Sequence, residues 1–145
     1  MNELLRASGL SDQGAMEALS SFLKKRDLAA GELLFDYGDS TVEEMFFLSH
    51  GHLAVHKKTG FQEKMQVIAL LDPGAVVGEG ALLDGHIRAT RVRAIKDSSL
   101  LALSRSDFAV FQHQHPLSAL LFLEFLLGIV SLRLEKTSER LARIL

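Results

Sequence analysis

The spacing of turn-forming residues between Arg26 and Leu103 constrains the fold of this chain more than any other sequence feature. Short apolar runs are separated there, about every ten residues, by turns rich in glycine, aspartate and proline. The turns lie at Gly31, 37–39, 50–51, 59–60, 72–74 and 84–85. Strands fit between turns so close together, whereas helices of ordinary length do not. The pattern predicts an all-β roll or barrel, in which Leu53 and Val55 alternate as half-buried strand residues do.

Helical periodicity flanks this β-rich middle on both sides. From Ser11 to Lys25 apolar residues recur at helical spacing, with Ser11 or Asp12 placed to cap the first turn. The helical period returns over 104–113, is broken at Pro116 and resumes to the end of the chain. We therefore predict one domain over 1–145, with an N-terminal helical segment (1–25), a β-roll (26–104) and C-terminal helices (105–145).

The last predicted helix carries the most regular apolar pattern in the sequence. Its seam residues are spaced alternately three and four apart: Leu120, Leu123, Leu127, Val130, Leu134, Thr137, Leu141 and Ile144. Such a heptad seam is typical of helices that pair with a second chain. One interpretation is that the stripe packs on the roll. Because the helix is apolar on nearly all sides between Leu117 and Leu134, we expect a parallel homodimer.

Composition excludes several classes of function. The 145 residues include no cysteine, which rules out disulfides, thiolate metal sites and cysteine nucleophiles. The net charge is −2 and the basic residues are dispersed, so direct DNA binding is not expected. The N-terminus lacks a signal peptide, and the apolar run Leu117 to Val130 contains Glu124 and is shorter than the ~20 residues of a membrane span. We expect a cytoplasmic protein with no membrane partner.

The segment from Gly78 to Thr90 carries the chemistry. Thr90, Val92 and Ala94 alternate with two arginines, and extending the alternation back places Arg88 on the inner side. A buried arginine needs an anionic partner, and a phosphate suits the planar guanidinium. Glycines at 78 and 80 allow close backbone approach, and amides near Ala81 at the start of a short helix add donors.

Glu79 lies at the start of that helix, where it would repel a phosphate unless it points at a hydroxyl. A sugar hydroxyl can donate to a carboxylate in a strong charge-assisted bond. A carboxylate for a ribose and an arginine for a phosphate together describe a nucleotide site. The alternative is that Glu79 and Arg88 form an internal salt bridge that holds the loop in place. The two residues by themselves leave both interpretations open.

The chain resembles the cyclic-nucleotide-binding domain family. Segments 30–35 and 38–39 are similar to the family's early strands and turn, and 46–55 is similar to a hairpin built around a glycine, here Gly51. The specific part is Gly78-Glu79-x-Ala81-Leu82 followed by Arg88-Ala89, which resembles the family's phosphate-binding cassette over 78–90. The resemblance implies a mainly β fold: an antiparallel, jelly-roll-like β-roll (a double-stranded β-helix) with a short N-terminal and a long C-terminal helix.

The resemblance also implies roles for individual residues. Glu79 and the Gly78 backbone would bind the ribose 2′-hydroxyl, while the Arg88 side chain and the Ala81 and Ala89 amides would bind the cyclic phosphate. Two departures, Gly80 for a large apolar residue and Ile87 for a proline, predict a looser turn and lower affinity. The predicted ligand-binding residues are Gly78, Glu79, Gly80, Ala81, Leu82, Arg88, Ala89 and Thr90, with Thr137 and Ser138 on the last helix.

The same resemblance guides the choice of base. Family members that bind cyclic GMP often carry a threonine directly after the arginine, but here that position is Ala89 and Thr90 follows. We therefore expect cyclic AMP rather than cyclic GMP, and no other cofactor. Thr137 and Ser138 resemble the adjacent threonine and serine that contact adenine from the family's central helix. Thr137 is also the only polar residue of the heptad seam, so it could equally set the helix register.

Two other functions compete with a nucleotide-binding regulatory domain. A family member that has lost its ligand would be a dimeric interaction module. A cupin-like metal enzyme is suggested by His50, His52 and His56, but Lys57 and Lys58 occupy the stretch where its glutamate belongs. We expect no catalysis. The chain is interpreted as a stand-alone domain without a helix-turn-helix, acting on a separate effector protein that the sequence does not name.

Overall fold

The structure is a computed structural model that describes residues 13–60 and 64–145. In these ranges the helices are α1 (Gln13–Phe22), α2 (Arg105–Gln114) and α3 (Pro116–Ile144). The strands are β1 (Lys24–Leu28), β2 (Leu33–Phe35), β3 (Glu44–His50), β4 (Leu53–Lys58), β5 (Met65–Leu71), β6 (Val76–Val77), β7 (Arg91–Ala94) and β8 (Ser98–Ser104). A short 3-10 helix, Glu79–Leu82, connects β6 to β7. The predicted order of helix, strands and two further helices is confirmed.

The eight strands form two antiparallel four-stranded sheets. One has the order β1-β8-β3-β6 and the other β2-β7-β4-β5. Chain neighbours such as β3 and β4 lie in different sheets, which is how a roll closes on itself. The inner faces bury one apolar cluster, made of Leu28, Leu34, Phe35, Phe46, Leu48, Leu53, Val77, Val92, Ala94, Leu100 and Ala102. The predicted antiparallel β-roll is therefore confirmed.

The boundary between α1 and β1 differs from the prediction. The sequence pattern extends the first helix to Lys25, whereas α1 ends at Phe22 and Lys24 already begins β1. β1 pairs in antiparallel register with β8, from Lys24 opposite Ala102 to Leu28 opposite Ser98. These ladder hydrogen bonds and the burial of Leu28 outweigh the local helical preference. The predicted caps Ser11 and Asp12 lie outside the described residues.

Gly51 is required at the turn between β3 and β4. Its φ is +96°, and a Cβ atom at this position would lie 2.7 Å from both the Asp97 carbonyl oxygen and the Ser98 Cα. Both the positive φ and this close backbone approach exclude a side chain. The hairpin that the resemblance centres on this glycine is wrong, because β3 and β4 pair with other strands and lie in different sheets. Gly51 instead makes the turn from one sheet to the other, packed against the turn before β8.

The described chain divides into two compact units. One is the roll, residues 21–109, and the other contains the described part of 1–20 together with 110–145. The long helix α3 begins with Pro116 in its first turn, where a proline costs no hydrogen bond. By length and composition alone, α3 could also cross a membrane.

Two different faces of α3 have different exposure. Ala119, Phe122 and Leu126 are buried. All seven apolar residues of the heptad seam are partly or largely exposed: Leu120, Leu123, Leu127, Val130, Leu134, Leu141 and Ile144. Contiguous exposed apolar surface of this extent is typical of a site of interaction with a protein or a membrane.

Candidate functional site

The segment after β6 begins with a backbone conformation that favours glycine. Gly78 has φ 73° and ψ 22°, in the left-handed region. The chain then makes the 3-10 turn, in which the Ala81 amide donates to the Gly78 carbonyl oxygen at 3.1 Å and the Leu83 amide to the Gly80 carbonyl at 2.9 Å. A Cβ atom on Gly78 would lie 2.7 Å from Nη1 of Arg88. The glycine therefore permits both the turn and the close approach of the arginine.

The main chain of Arg88 is fixed by the turn that follows β2. The Arg88 amide donates to the Asp39 carbonyl oxygen at 2.8 Å, and the Gly38 amide donates to the Arg88 carbonyl at 2.8 Å. The Asp39 carboxylate in turn accepts from the Thr41 amide and hydroxyl, both at 2.8 Å. These bonds define the point at which the Arg88 side chain enters the roll.

The guanidinium of Arg88 is buried among main-chain carbonyls. The residue is only 2% exposed. Nη1 donates to the Gly78 carbonyl at 3.0 Å, and Nη2 donates to the Val42 and Glu44 carbonyls at 3.0 and 2.6 Å. The Phe35 ring covers it, with its centroid 4.0 Å from Cζ. The inward orientation that strand alternation predicts for Arg88 is confirmed.

Burial and nearby carboxylates act on the Arg88 charge in opposite directions. Loss of hydration lowers the pKa of the guanidinium, while Asp39, Glu44 and Glu79 raise it. Arginine stays protonated in proteins, so the site holds a buried positive charge. The salt-bridge interpretation predicts that the Glu79 carboxylate holds the Arg88 guanidinium in place. In the structure three carbonyls hold the guanidinium, and Glu79 is one of three carboxylates that favour its charge.

Two of the five N–H groups of this buried cation have no carbonyl partner in the part of the chain that the structure describes, and one of them is Nε–H. Within the described residues, Nε of Arg88 has no hydrogen-bond partner although it is buried. A buried donor without an acceptor costs about 1–3 kcal/mol. An anionic oxygen beside Nε would remove that cost and form a charge-assisted bond. The donor set of Arg88 therefore fits a phosphate.

The predicted cassette residues come together, but the two amides differ. The Ala81 amide is already hydrogen-bonded to Gly78, whereas the Ala89 amide has no acceptor in the described part of the chain. Glu79, Leu82 and Thr90 are half-buried. The roles that the resemblance gives to these residues stay predictions.

The imidazole of His86 occupies the space beside Gly80. A Cβ atom on Gly80 would lie 2.5 Å from Cε1 and 2.8 Å from Nε2 of that ring. The large apolar side chain expected at position 80 is thus replaced by a ring that reaches back from six residues later. The space that Gly80 leaves in this turn is occupied by the His86 ring.

Thr137 and Ser138 lie on α3 in the helical unit and are exposed. The Thr137 hydroxyl donates to the Arg133 carbonyl at 2.8 Å, a bond within the helix. Their contact with a base stays a prediction.

Two of the three histidines of the cupin-like alternative, His52 and His56, have different polar surroundings. Nδ1 of His52 lies 2.7 Å from a carboxylate oxygen of Asp72. Nδ1 of His56 is buried and lacks a hydrogen-bond partner among the described residues. Across 13–60 and 64–145, no group of three His, Cys, Asp or Glu side chains could hold a metal ion.

Sequence reasoning missed two parts of the site. The Val42 and Glu44 carbonyls that hold Arg88 have no sequence signal, because any residue supplies a carbonyl. Lys57 donates from Nζ to the Ala89 carbonyl at 3.2 Å. Its alternation with Leu53 and Val55 could have placed it on the inner face.

Comparison with known proteins agrees with this geometry. The family model for the cyclic nucleotide-binding domain matches residues 25–115. The cyclic AMP receptor protein of Thermus thermophilus is 33% identical over 112 residues, which are 77% of this chain and 50% of that protein. The chain thus spans about half the length of that relative.

Solved structures show the same fold at lower identity. A cyclic nucleotide-binding domain from Methylobacillus flagellatus superimposes with a TM-score of 0.89 at 21% identity, covering 99% of this chain and 83% of that one. The catabolite activator protein of Thermus thermophilus gives 0.79 at 24% identity, covering 95% and 62%. The range 25–115 matched by the family model contains nearly all of the roll and its cassette, and on that basis the chain belongs to the cyclic nucleotide-binding domain family.

Proposed function

We propose that this chain binds cyclic AMP as a non-catalytic regulatory domain. The observation that carries the proposal is the buried Arg88, whose Nε–H lacks an acceptor in the described residues while three of its other N–H groups donate to main-chain carbonyls. A cyclic phosphate supplies that acceptor and a negative charge. Glu79, in the first turn of the 3-10 helix, supplies a carboxylate for the ribose hydroxyl.

The preference for cyclic AMP over cyclic GMP rests on the residue after the arginine. Ala89 offers no hydroxyl to the guanine amino group, and a buried or partly buried polar group without a partner weakens binding. A relative that is 33% identical is named a cyclic AMP receptor protein, which supports the same choice. Thr90, one residue later, is half-buried and is the remaining hydroxyl next to the arginine.

Isothermal titration with cyclic AMP and cyclic GMP tests this proposal. We expect saturable binding of one cyclic AMP per chain and weaker binding of cyclic GMP. Arg88→Lys should bind cyclic AMP at least tenfold more weakly, because an ammonium cannot hold the three carbonyls and also present the Nε donor. Arg93→Lys is the matched control, since Arg93 contacts the Gly31 carbonyl at 2.7 Å, away from the cassette. Equal binding of cyclic AMP by both variants would contradict the assignment.

We also propose that the exposed seam of α3 pairs with a second copy of this chain. The seam keeps a heptad spacing over 120–144, which is typical of helices paired with a copy of themselves, and its apolar residues are exposed. Through this dimer, ligand binding would control the position of α3 and hence a separate, cytoplasmic effector protein. A ligand-free interaction module would dimerise in the same way but fail to bind cyclic AMP.

Sedimentation of a matched pair of variants tests the dimer. Leu127 is 66% exposed on the seam, and Leu132 is 51% exposed off the seam. Leu127→Glu should dissociate the dimer because it places a charge in an apolar contact, whereas Leu132→Glu should not. A monomeric wild type, or wild-type binding to neutral lipid vesicles that Leu127→Glu abolishes, would contradict the dimer and assign the seam to a membrane.

A further inference from the structure

Lys57 lies on the inner face of the sheet that leads to the cassette. In the register of β4 and β7, Leu53 is opposite Ala94 and Val55 is opposite Val92. Leu53, Val92 and Ala94 belong to the core of the roll, and the partly buried Val55 packs against it. Side chains alternate along a strand, so Lys57 is on the same face as Leu53 and Val55. A lysine thus occupies the position where this inner face passes from the apolar core to solvent.

The Lys57 ammonium reaches the cassette itself. Nζ donates to the Ala89 carbonyl oxygen at 3.2 Å, and the side chain is exposed. An ammonium has three donors, and this bond uses one of them. Two donors and a full positive charge therefore remain beside the residue that follows Arg88.

The described residues leave Arg88 only two N–H groups for a phosphate, Nε–H and one on Nη1, and both lie on its buried guanidinium. Three of its five N–H groups are bound to carbonyls, and the Phe35 ring covers the guanidinium. A cyclic phosphate has two exocyclic oxygens that share its charge. A donor from the exposed side would bind the oxygen that faces away from the buried guanidinium.

We propose that Lys57 is a second cationic contact of the ligand, binding the cyclic phosphate from the solvent side while Arg88 binds it from the core. This inference rests on the proposed nucleotide-binding function and adds a determinant of affinity to it. An ion pair at an exposed site contributes up to about 1 kcal/mol, which is roughly a fivefold change in dissociation constant. Because the contact is exposed, added salt should weaken it.

Titration of cyclic AMP into four proteins tests this contact: the wild type, Lys57→Met, Lys57→Arg and Lys96→Met. Lys96 is the matched control, because it is exposed and follows the far end of β7 from Ala89. We expect Lys57→Met to bind up to about fivefold more weakly at low salt. The difference should be smaller at 0.5 M NaCl, where the Debye length is about 4 Å. Lys57→Arg and Lys96→Met should bind within about twofold of the wild type.

The outcomes separate this inference from the function on which it rests. If the wild type does not bind cyclic AMP, the proposed function fails. If the wild type binds and Lys57→Met binds equally well, only the role of Lys57 is overturned. A loss in Lys57→Met that salt does not reduce, and that Lys57→Arg shares, would mean that Lys57 acts by holding the Ala89 carbonyl, which also overturns a phosphate contact.

Discussion

Replacing Arg88 with alanine should destabilise the roll even without ligand. The variant leaves the Gly78, Val42 and Glu44 carbonyls without their donor. Each hydrogen bond to a charged group contributes about 1.5–3 kcal/mol, and the cost of burying the guanidinium offsets part of the sum. We therefore expect the free energy of unfolding to fall by about 3 kcal/mol, in the range known for losing one partner of a buried charged contact.

Urea unfolding of the ligand-free protein measures this change. Arg93→Ala is the control, since the half-buried Arg93 makes one hydrogen bond, to the Gly31 carbonyl, and its removal should cost about 1 kcal/mol. An Arg88→Ala variant no less stable than Arg93→Ala would refute the structural role of the guanidinium. Ligand affinity of Arg88→Ala is meaningful only at a temperature where the variant is folded.

Three further changes test the packing and the electrostatics. Gly80→Leu should lower the free energy of unfolding by about 1–3 kcal/mol, because the leucine overpacks against the His86 ring. Adding His86→Ala to this variant should restore part of the lost stability. If urea unfolding shows that the two substitutions destabilise additively, the contact is contradicted. Gly51→Ala should lower the free energy of unfolding by at least about 2 kcal/mol, because the position has a positive φ and a Cβ atom there would clash with backbone. An unchanged melting temperature would contradict this. A hydrogen bond from Arg91 holds the pKa of the Asp36 carboxyl below its usual range. The stabilisation from the ionised Asp36 carboxylate is therefore present above its unfolded pKa of about 4 and is lost as the pH falls through the lower folded value. Asp36→Asn should be less stable than the wild type at pH 7, and this difference in stability should shrink toward pH 3. A difference in stability that does not depend on pH would contradict this.

The sequence was most informative where local chemistry determines the fold. Turn residues at short intervals require strands, and the alternation beyond Thr90 correctly predicts that Arg88 is buried. The predicted end of α1 was wrong because Lys24 and Lys25 form ladder hydrogen bonds with β8, a strand distant in sequence. Local periodicity contains no information about such a partner.

The details of the site depend on contacts between distant segments. Val42 and Glu44 hold Arg88 through carbonyls, which every residue possesses. The packing of the His86 ring beside Gly80 has no direct sequence signal, because the glycine indicates only that a side chain is missing there. The resemblance predicts that 78–90 binds the ligand, and this stays a prediction. The structure shows which donors of Arg88 are already in use.

The most direct test is the NMR signal of the Arg88 Nε–H group. A two-dimensional ¹H–¹⁵N spectrum of arginine side chains, with the resonance assigned by its loss in Arg88→Lys, is recorded while cyclic AMP is added. A phosphate oxygen accepting from Nε should move this resonance downfield and protect it from solvent exchange, whereas the Arg93 resonance should not move. An unmoved Arg88 resonance at saturating cyclic AMP would contradict the assignment of Arg88 as the phosphate-binding residue.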